Sequence, residues 1–288
     1  MAAIALIKAG YEVAVYDARP AHDLHSDGIL GIQEDVWAMM LNERIPVQQY
    51  ELNSGNRFRY ITWTDLHHAI TIRAMEMGAI FNFARKVNAS EYSAMGETIV
   101  VATGVGSAKE VSAPEYTGYM IVRGLSSDFA GTSWASQSGN DWEFKIGDTR
   151  LGASITWFIP RDRSQVQFKT TYSVNAPLET SQLAPKWRKI AANVPLYQYA
   201  PMSDWDVPGH MVTFGAPNVV RIGDANGQLR PATSMGANQA IAEALAIPLL
   251  INRQDEWREG MENYLLTRRS LLAEYGKLLA IHGTVLAN

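Results

Sequence analysis

The chain has 288 residues, room for one large domain or two smaller ones, and its 47% hydrophobic and 19% charged residues are ordinary for a soluble globular protein. A net charge of −4, with no basic run and no cationic amphipathic stretch, excludes the electrostatic footprint of a nucleic-acid or membrane-surface binder. The absence of cysteine excludes disulfides, thiolate metal sites and cysteine nucleophiles, in keeping with a cytoplasmic protein, and no apolar run approaches the roughly 18 residues of a membrane span.

The opening "MAAIALIKAGYEVAVYDARP" is expected to form an apolar helix ending at Gly10, a strand from Val13 to Tyr16 and an acid, Asp17, at the strand's end. Lys8 inside the apolar stretch and the lack of a small-residue cleavage site argue for a core helix rather than a signal peptide. A helix, a strand and a terminal acid are the later parts of a dinucleotide-binding unit, in which the acid holds a ribose.

Further along, "GILGIQEDVWAMMLNERI" carries apolar residues at helical spacing, and "RFRYITW" alternates like a strand. Thr64 is expected to cap the helix of "DLHHAITIRAMEMG", with Leu66, Ile70, Ala74 and Met77 on one face and Gly78 as its stop. "ETIVVATG" reads as a buried parallel strand ending in glycine. From about Tyr116 to Tyr172 the pattern changes to alternating, aromatic-rich strands such as "ASITWFIP" and "QVQFKTTYSV".

"NVVRIGDA" restores the buried-strand style and feeds the Ala-rich helix "GANQAIAEALAIPLLI", where Pro248 should kink or end a turn. A long helix from roughly Trp257 to Ile281 closes the chain. The predicted fold class is α/β, a Rossmann-like domain interrupted by a mostly antiparallel sheet. The expected division assigns 1–47, 63–113 and 206–288 to the first part and 48–62 and 114–205 to the second.

Three separated pieces, "EVAVYDARP", "IVVATGVGSAKE" and "VVRIGDANGQLRPATSMGANQAIAEALAI", taken together resemble the class A flavoprotein monooxygenases, the p-hydroxybenzoate hydroxylase-like family. The third is the most specific: a strand ending in Gly223-Asp224, a loop with Pro231, and Gly236-Ala237-Asn238 at a helix start. "YITWTDLHHAI", "WFIPRDRSQVQFKTTY" and the Arg230-Pro231 pair resemble the 2,6-dihydroxypyridine hydroxylase-like branch.

The resemblance implies FAD as cofactor, NADH or NADPH as electron donor, and hydroxylation of an aromatic or heteroaromatic small molecule with O2. It implies cofactor-binding roles for Asp17 and Arg19 at the adenosine, for Thr103 and Gly104 after the middle strand, and for Gly223, Asp224, Pro231, Gly236, Ala237 and Asn238 near the flavin ring. No catalytic acid or base is assigned. Trp134, Trp142 and Trp157 are candidates to line an aromatic pocket in the sheet block, set against ordinary packing for each alone. His22 to His25 and His67-His68 are expected to be solvated or capping residues, and no metal site is expected.

The sequence departs from that family's pattern in several places. The first strand and its G-x-G-x-x-G turn are missing, which removes a pyrophosphate site and is expected to leave "EVAVYD" and "TIVVAT" without a common partner strand. Thr103 replaces an aspartate, Asn226-Gly227 replaces an Ala-His pair, and Ala232 stands where the branch has histidine. Three alternatives follow: a degenerate relative binding a small aromatic ligand or a protein partner without FAD, an enzyme that keeps the flavin for epoxidation or dehydrogenation, or a gene whose coding sequence continues upstream in frame. A homodimer is the expected assembly.

Overall fold

A computed structural model describes residues 1–21, 29–55, 58–87, 96–104, 115–126, 134–138, 141–149, 152–160, 196–204, 209–212, 218–229, 235–252 and 255–282. Helix α1 (Ala2–Lys8) buries Ile4, Ala5 and Leu6 and gives way at Gly10, whose φ of +89° suits a residue without Cβ. Strand β1 (Ala14–Tyr16) follows and pairs in parallel with β5 (Ile80–Asn82).

A second parallel pair joins β6 (Ile99–Val101) to β12 (Val219–Arg221). Among the described residues the two pairs are separate sheets, so β1 and β6 share no ladder. These strands are less covered than their apolar sequences suggest. Ile99 and Val100 are half-buried and Ile80 is 66% exposed.

The stretch expected to be helical from its first residues divides instead into strand β2 (Ile29–Gln33) and helix α2 (Glu34–Asn42). β2 is drawn into an antiparallel sheet of order β2-β4-β3 with β3 (Leu52–Gly55) and β4 (Phe58–Thr62), running from Ile29 opposite Thr62 to Gln33 opposite Phe58. Glu34 and Asp35 in the first turn of α2 favour a helix start there.

Helix α3 (Trp63–Glu76) is capped by Thr62 rather than Thr64: its hydroxyl oxygen accepts the Asp65 N–H at 3.0 Å while its O–H donates to Asp65 Oδ2 at 2.7 Å. Thr62 and Asp65 have the S/T-x-x-acid spacing that satisfies a helix's first donors, which Thr64 lacks. Gly78, at φ +104°, follows its end as expected. Leu66 and Ala74 are buried on the inner face with Ala69, while Ile70 and Met77 pack there half-buried.

Residues 115–204 contribute β7 (Glu115–Ser126), β8 (Trp134–Ser138), β9 (Asp141–Thr149), β10 (Gly152–Pro160) and β11 (Leu196–Asp204). They form one fully antiparallel sheet of order β11-β7-β10-β9-β8. Helix α4 (Gly236–Leu250) is apolar nearly all round and lies between two cores, giving Ile241 to one and Ala244, Ala246, Ile247 and Leu250 to the other. Pro248 sits in its last turn, and the helix stops at Leu250. Helix α5 (Asp255–His282) sends Leu265 into the second core.

Candidate cofactor site

The strongest concentration of site features lies where β6 and β12 end. The two strands run in parallel, and the N–H of Ile222 donates to the carbonyl of Val101 at 3.1 Å, so the chain leaves both at one edge. Thr103-Gly104 and Gly223-Asp224 therefore emerge beside each other at carboxyl ends of parallel strands, where α/β folds place ligands. Gly104 has φ +70° and Gly223 φ +60°, and a Cβ on Gly223 would stand 3.3 Å from that of Ala240. That approach seats the turn directly on α4.

Residues Gly223–Asn226 form a short 3₁₀ turn that Gly227 ends at φ +97°. Burial pushes the Asp224 carboxyl up to about 6; nearby Arg269 opposes the rise and Glu243 adds to it. Asn226 has no exposed surface, and neither atom of its carboxamide finds a hydrogen-bond partner. An unsatisfied buried amide is costly, so two orphaned atoms in this turn mark a place suited to a polar ligand.

Gly236 and Ala237 open α4, and among the described residues no side chain caps its N-terminus. Uncapped amides at the start of a 15-residue helix favour an acceptor or partial negative charge. The Asn238 side chain bonds within the protein: Oδ1 accepts the Gln33 N–H and Nδ2 donates to the Gly31 carbonyl, both at 2.8 Å. Pro231 lies outside the described residues.

Asp17 and Arg19 sit at the end of the other parallel pair, in a sheet separate from the 223–227 turn. Asp17 Oδ1 accepts the backbone N–H of Arg19 at 2.9 Å and its Nε at 3.1 Å, while Oδ2 accepts Nη2 at 2.9 Å. Burial raises the Asp17 carboxyl, but these bonds outweigh it and hold the group below its usual range. Nearby, the Arg85 guanidinium lies 5.1 Å over the Tyr16 ring. His67 is half-buried in edge contact with Trp63; burial and the positive charge of Arg19 keep it below the usual histidine value. His68, exposed, meets Tyr50 edge-on. His22 and His25 lie outside the described residues, and among the described residues no three His, Asp or Glu side chains gather to hold a metal ion.

In the antiparallel sheet, position 134 stands opposite 145 and 145 opposite 155, while 157 stands opposite 143. Positions 134 and 157 thus share one face of the sheet and position 142 falls on the other.

The sequence reading missed three residues behind the turn. Glu243 on α4 accepts the Gly223 N–H at 2.7 Å and Gln239 Nε2 at 2.7 Å. Arg269 on α5 meets the same carboxylate through Nε and Nη2, both at 2.9 Å. All three side chains are buried. The available signal was a glutamate inside the otherwise apolar "AIAEALAI".

No protein-family model matches the sequence, and no curated protein matches it. Solved structures do share its fold. The 2,6-dihydroxypyridine-3-hydroxylase from Arthrobacter nicotinovorans superposes with a TM-score of 0.75 at 15% identity over 99% of this chain and 90% of its own. CtdE in complex with FAD gives 0.72 at 13% identity over 96% of this chain and 89% of its own. A 2-methyl-3-hydroxypyridine-5-carboxylic acid oxygenase gives 0.66 at 15% identity over 97% and 89%. The chain thus shares its α/β fold with CtdE, which was solved with FAD, and with the 2,6-dihydroxypyridine-3-hydroxylase.

Proposed function

We propose that this chain is an FAD-dependent monooxygenase that hydroxylates an aromatic or heteroaromatic small molecule using O2 and NADH or NADPH. The observation that carries this reading is the 223–227 turn, where the buried Asp224 and the orphaned Asn226 carboxamide stand at the end of a parallel strand pair. The shared fold supports it, since CtdE carries FAD on the same architecture.

The turn's chemistry fits the cofactor. Asp224 can accept hydrogen bonds from ribityl or ribose hydroxyls, and the carboxamide of Asn226 offers both a donor and an acceptor to a heterocycle edge. The amides of Gly236 and Ala237 can favour negative charge on a bound ring, and Thr103 and Gly104 would border the same edge. FAD, when bound, supplies the redox chemistry, while the protein holds it, orients the substrate and limits water.

In this reading 1–47, 63–113 and 206–288 form the FAD-binding part, 48–62 and 114–205 the substrate-binding part, and the enzyme works in the cytoplasm as a homodimer. Among the described residues no helix is long and apolar enough to cross a membrane. A second reading, a relative that binds a small aromatic ligand without FAD, is favoured by Asp17, whose two carboxylate oxygens are both engaged by Arg19.

The deciding experiment is the visible absorption spectrum of the purified chain after addition of FAD and removal of the excess. Retained flavin bands that weaken in Asp224→Ala support the enzyme reading, and NAD(P)H oxidation with candidate aromatics is then assayed. A folded but colourless protein favours the flavin-free reading.

A further inference from the structure

The turn that carries the proposed site is tied at both ends to one side chain. Gly223 and Gly227 both lie at positive φ, and the carbonyls of both point to the same guanidinium: Arg269 Nη2 donates to Gly223 O at 2.9 Å and Nη1 donates to Gly227 O. The remaining contacts of that guanidinium go to Glu243, which itself takes the Gly223 N–H. The two ends of the turn are therefore bridged by one planar side chain, and that side chain is aimed by one carboxylate.

Stability alone is a weak reason for such an arrangement. Replacing a buried ion pair by apolar groups of like volume is often neutral or favourable, whereas this pair grips main-chain groups of a single five-residue turn. The pair also has a counterpart on the same helix. Glu262, two turns before Arg269, accepts the N–H groups of Met211 and Val212, and Val212 bridges β12 at Val220. Helix α5 thus reaches the strand through Glu262 and the turn through Arg269.

We infer that Arg269 and Glu243 are positioning residues that set the 223–227 turn in its ligand-ready shape, so that α5 governs cofactor binding from behind the site. This rests on the flavin reading above. Lysine at 269 keeps the charge but lacks the fork needed to span both glycine carbonyls. A purely structural role would move global stability without speeding exchange at the turn beyond that of β12.

The test uses the full chain, its Arg269→Lys variant and the apolar double variant Glu243→Leu/Arg269→Met, with Glu262→Gln as the control on the same helix. Three quantities are read: the thermal midpoint, amide hydrogen exchange at 225–227 without cofactor, and FAD affinity by flavin absorbance. The expected result, in either 269 variant, is a lower midpoint, because buried glycine carbonyls lose their donor, with exchange at the turn faster by about tenfold or more than at the buried amides of β12 and FAD affinity lower by a similar factor. Glu262→Gln should leave exchange at the turn unchanged. Unchanged exchange in both 269 variants, or faster exchange with unchanged FAD affinity, overturns the inference. If the parent chain binds no FAD, the flavin reading fails by itself, and exchange at the turn still decides whether the pair sets its shape.

Discussion

The carboxamide of Asn238 serves β2 as a neighbouring strand would, accepting from Gln33 N–H and donating to Gly31 C=O across 205 and 207 residues of sequence. Those two backbone groups point to the same edge of β2, opposite β4, so one side chain closes an otherwise open strand edge and fixes it to α4. Asn238→Ala should destabilise the chain by roughly 2–4 kcal/mol, since two bonds are lost and buried partners are left unsatisfied. Asn238→Asp should be at least as harmful, because a carboxylate cannot donate to Gly31. Urea unfolding measures both, and an alanine variant as stable as the parent would refute the assignment.

Asn226 should behave in the opposite way. Its carboxamide lacks partners in the free protein, so Asn226→Leu, of similar volume, is expected to leave stability unchanged or raise it by up to about 1–3 kcal/mol. The same change should weaken FAD binding by about tenfold if the carboxamide meets the ligand. Unfolding and flavin titration of one variant therefore move apart. A variant that loses stability without losing affinity would show that Asn226 has only a packing role.

The buried Asp224 gives a pH dependence of definite sign. Its folded value is about 6 against an ordinary 3.8, so the folded chain holds a proton there that the unfolded chain has released. The stability this provides is fully present below 3.8 and is lost as pH rises through about 6. His67 and Asp17, both shifted downward, have the opposite slope, so the test is a difference between two chains. Parent stability minus that of Asp224→Asn should decline through this window and level off above it. A flat difference would mean that Asp224 ionises normally in the fold.

At the start of α3, Thr62→Ala removes the acceptor for the Asp65 N–H and should cost about 1 kcal/mol, while Thr62→Ser should retain most of the parent stability. The two variants compared with the parent by chemical denaturation test whether the Thr62 hydroxyl begins the helix.

The sequence by itself determined the elements whose signals are local. The apolar run of α1, the strand before Asp17, Gly78 as a helix stop, the alternating block that becomes β7 to β10 and the long final helix are all written in neighbouring residues. The turn between β12 and α4 was legible too, because its glycines and acid stand in a fixed order. Tertiary structure decided the rest. Ile29–Gln33 carries helical spacing yet is a strand, since β4 on one edge and Asn238 on the other satisfy its backbone. The side chain of Asn238 reaches β2, and Arg269, with no local signal on its own helix, lies against the turn through contacts 42 and 46 residues away. Spacing along the chain reports which face a residue occupies, but not which distant carbonyl or carboxylate that face will meet. That choice follows from how the helices and sheets pack, where every buried polar group must find its partner.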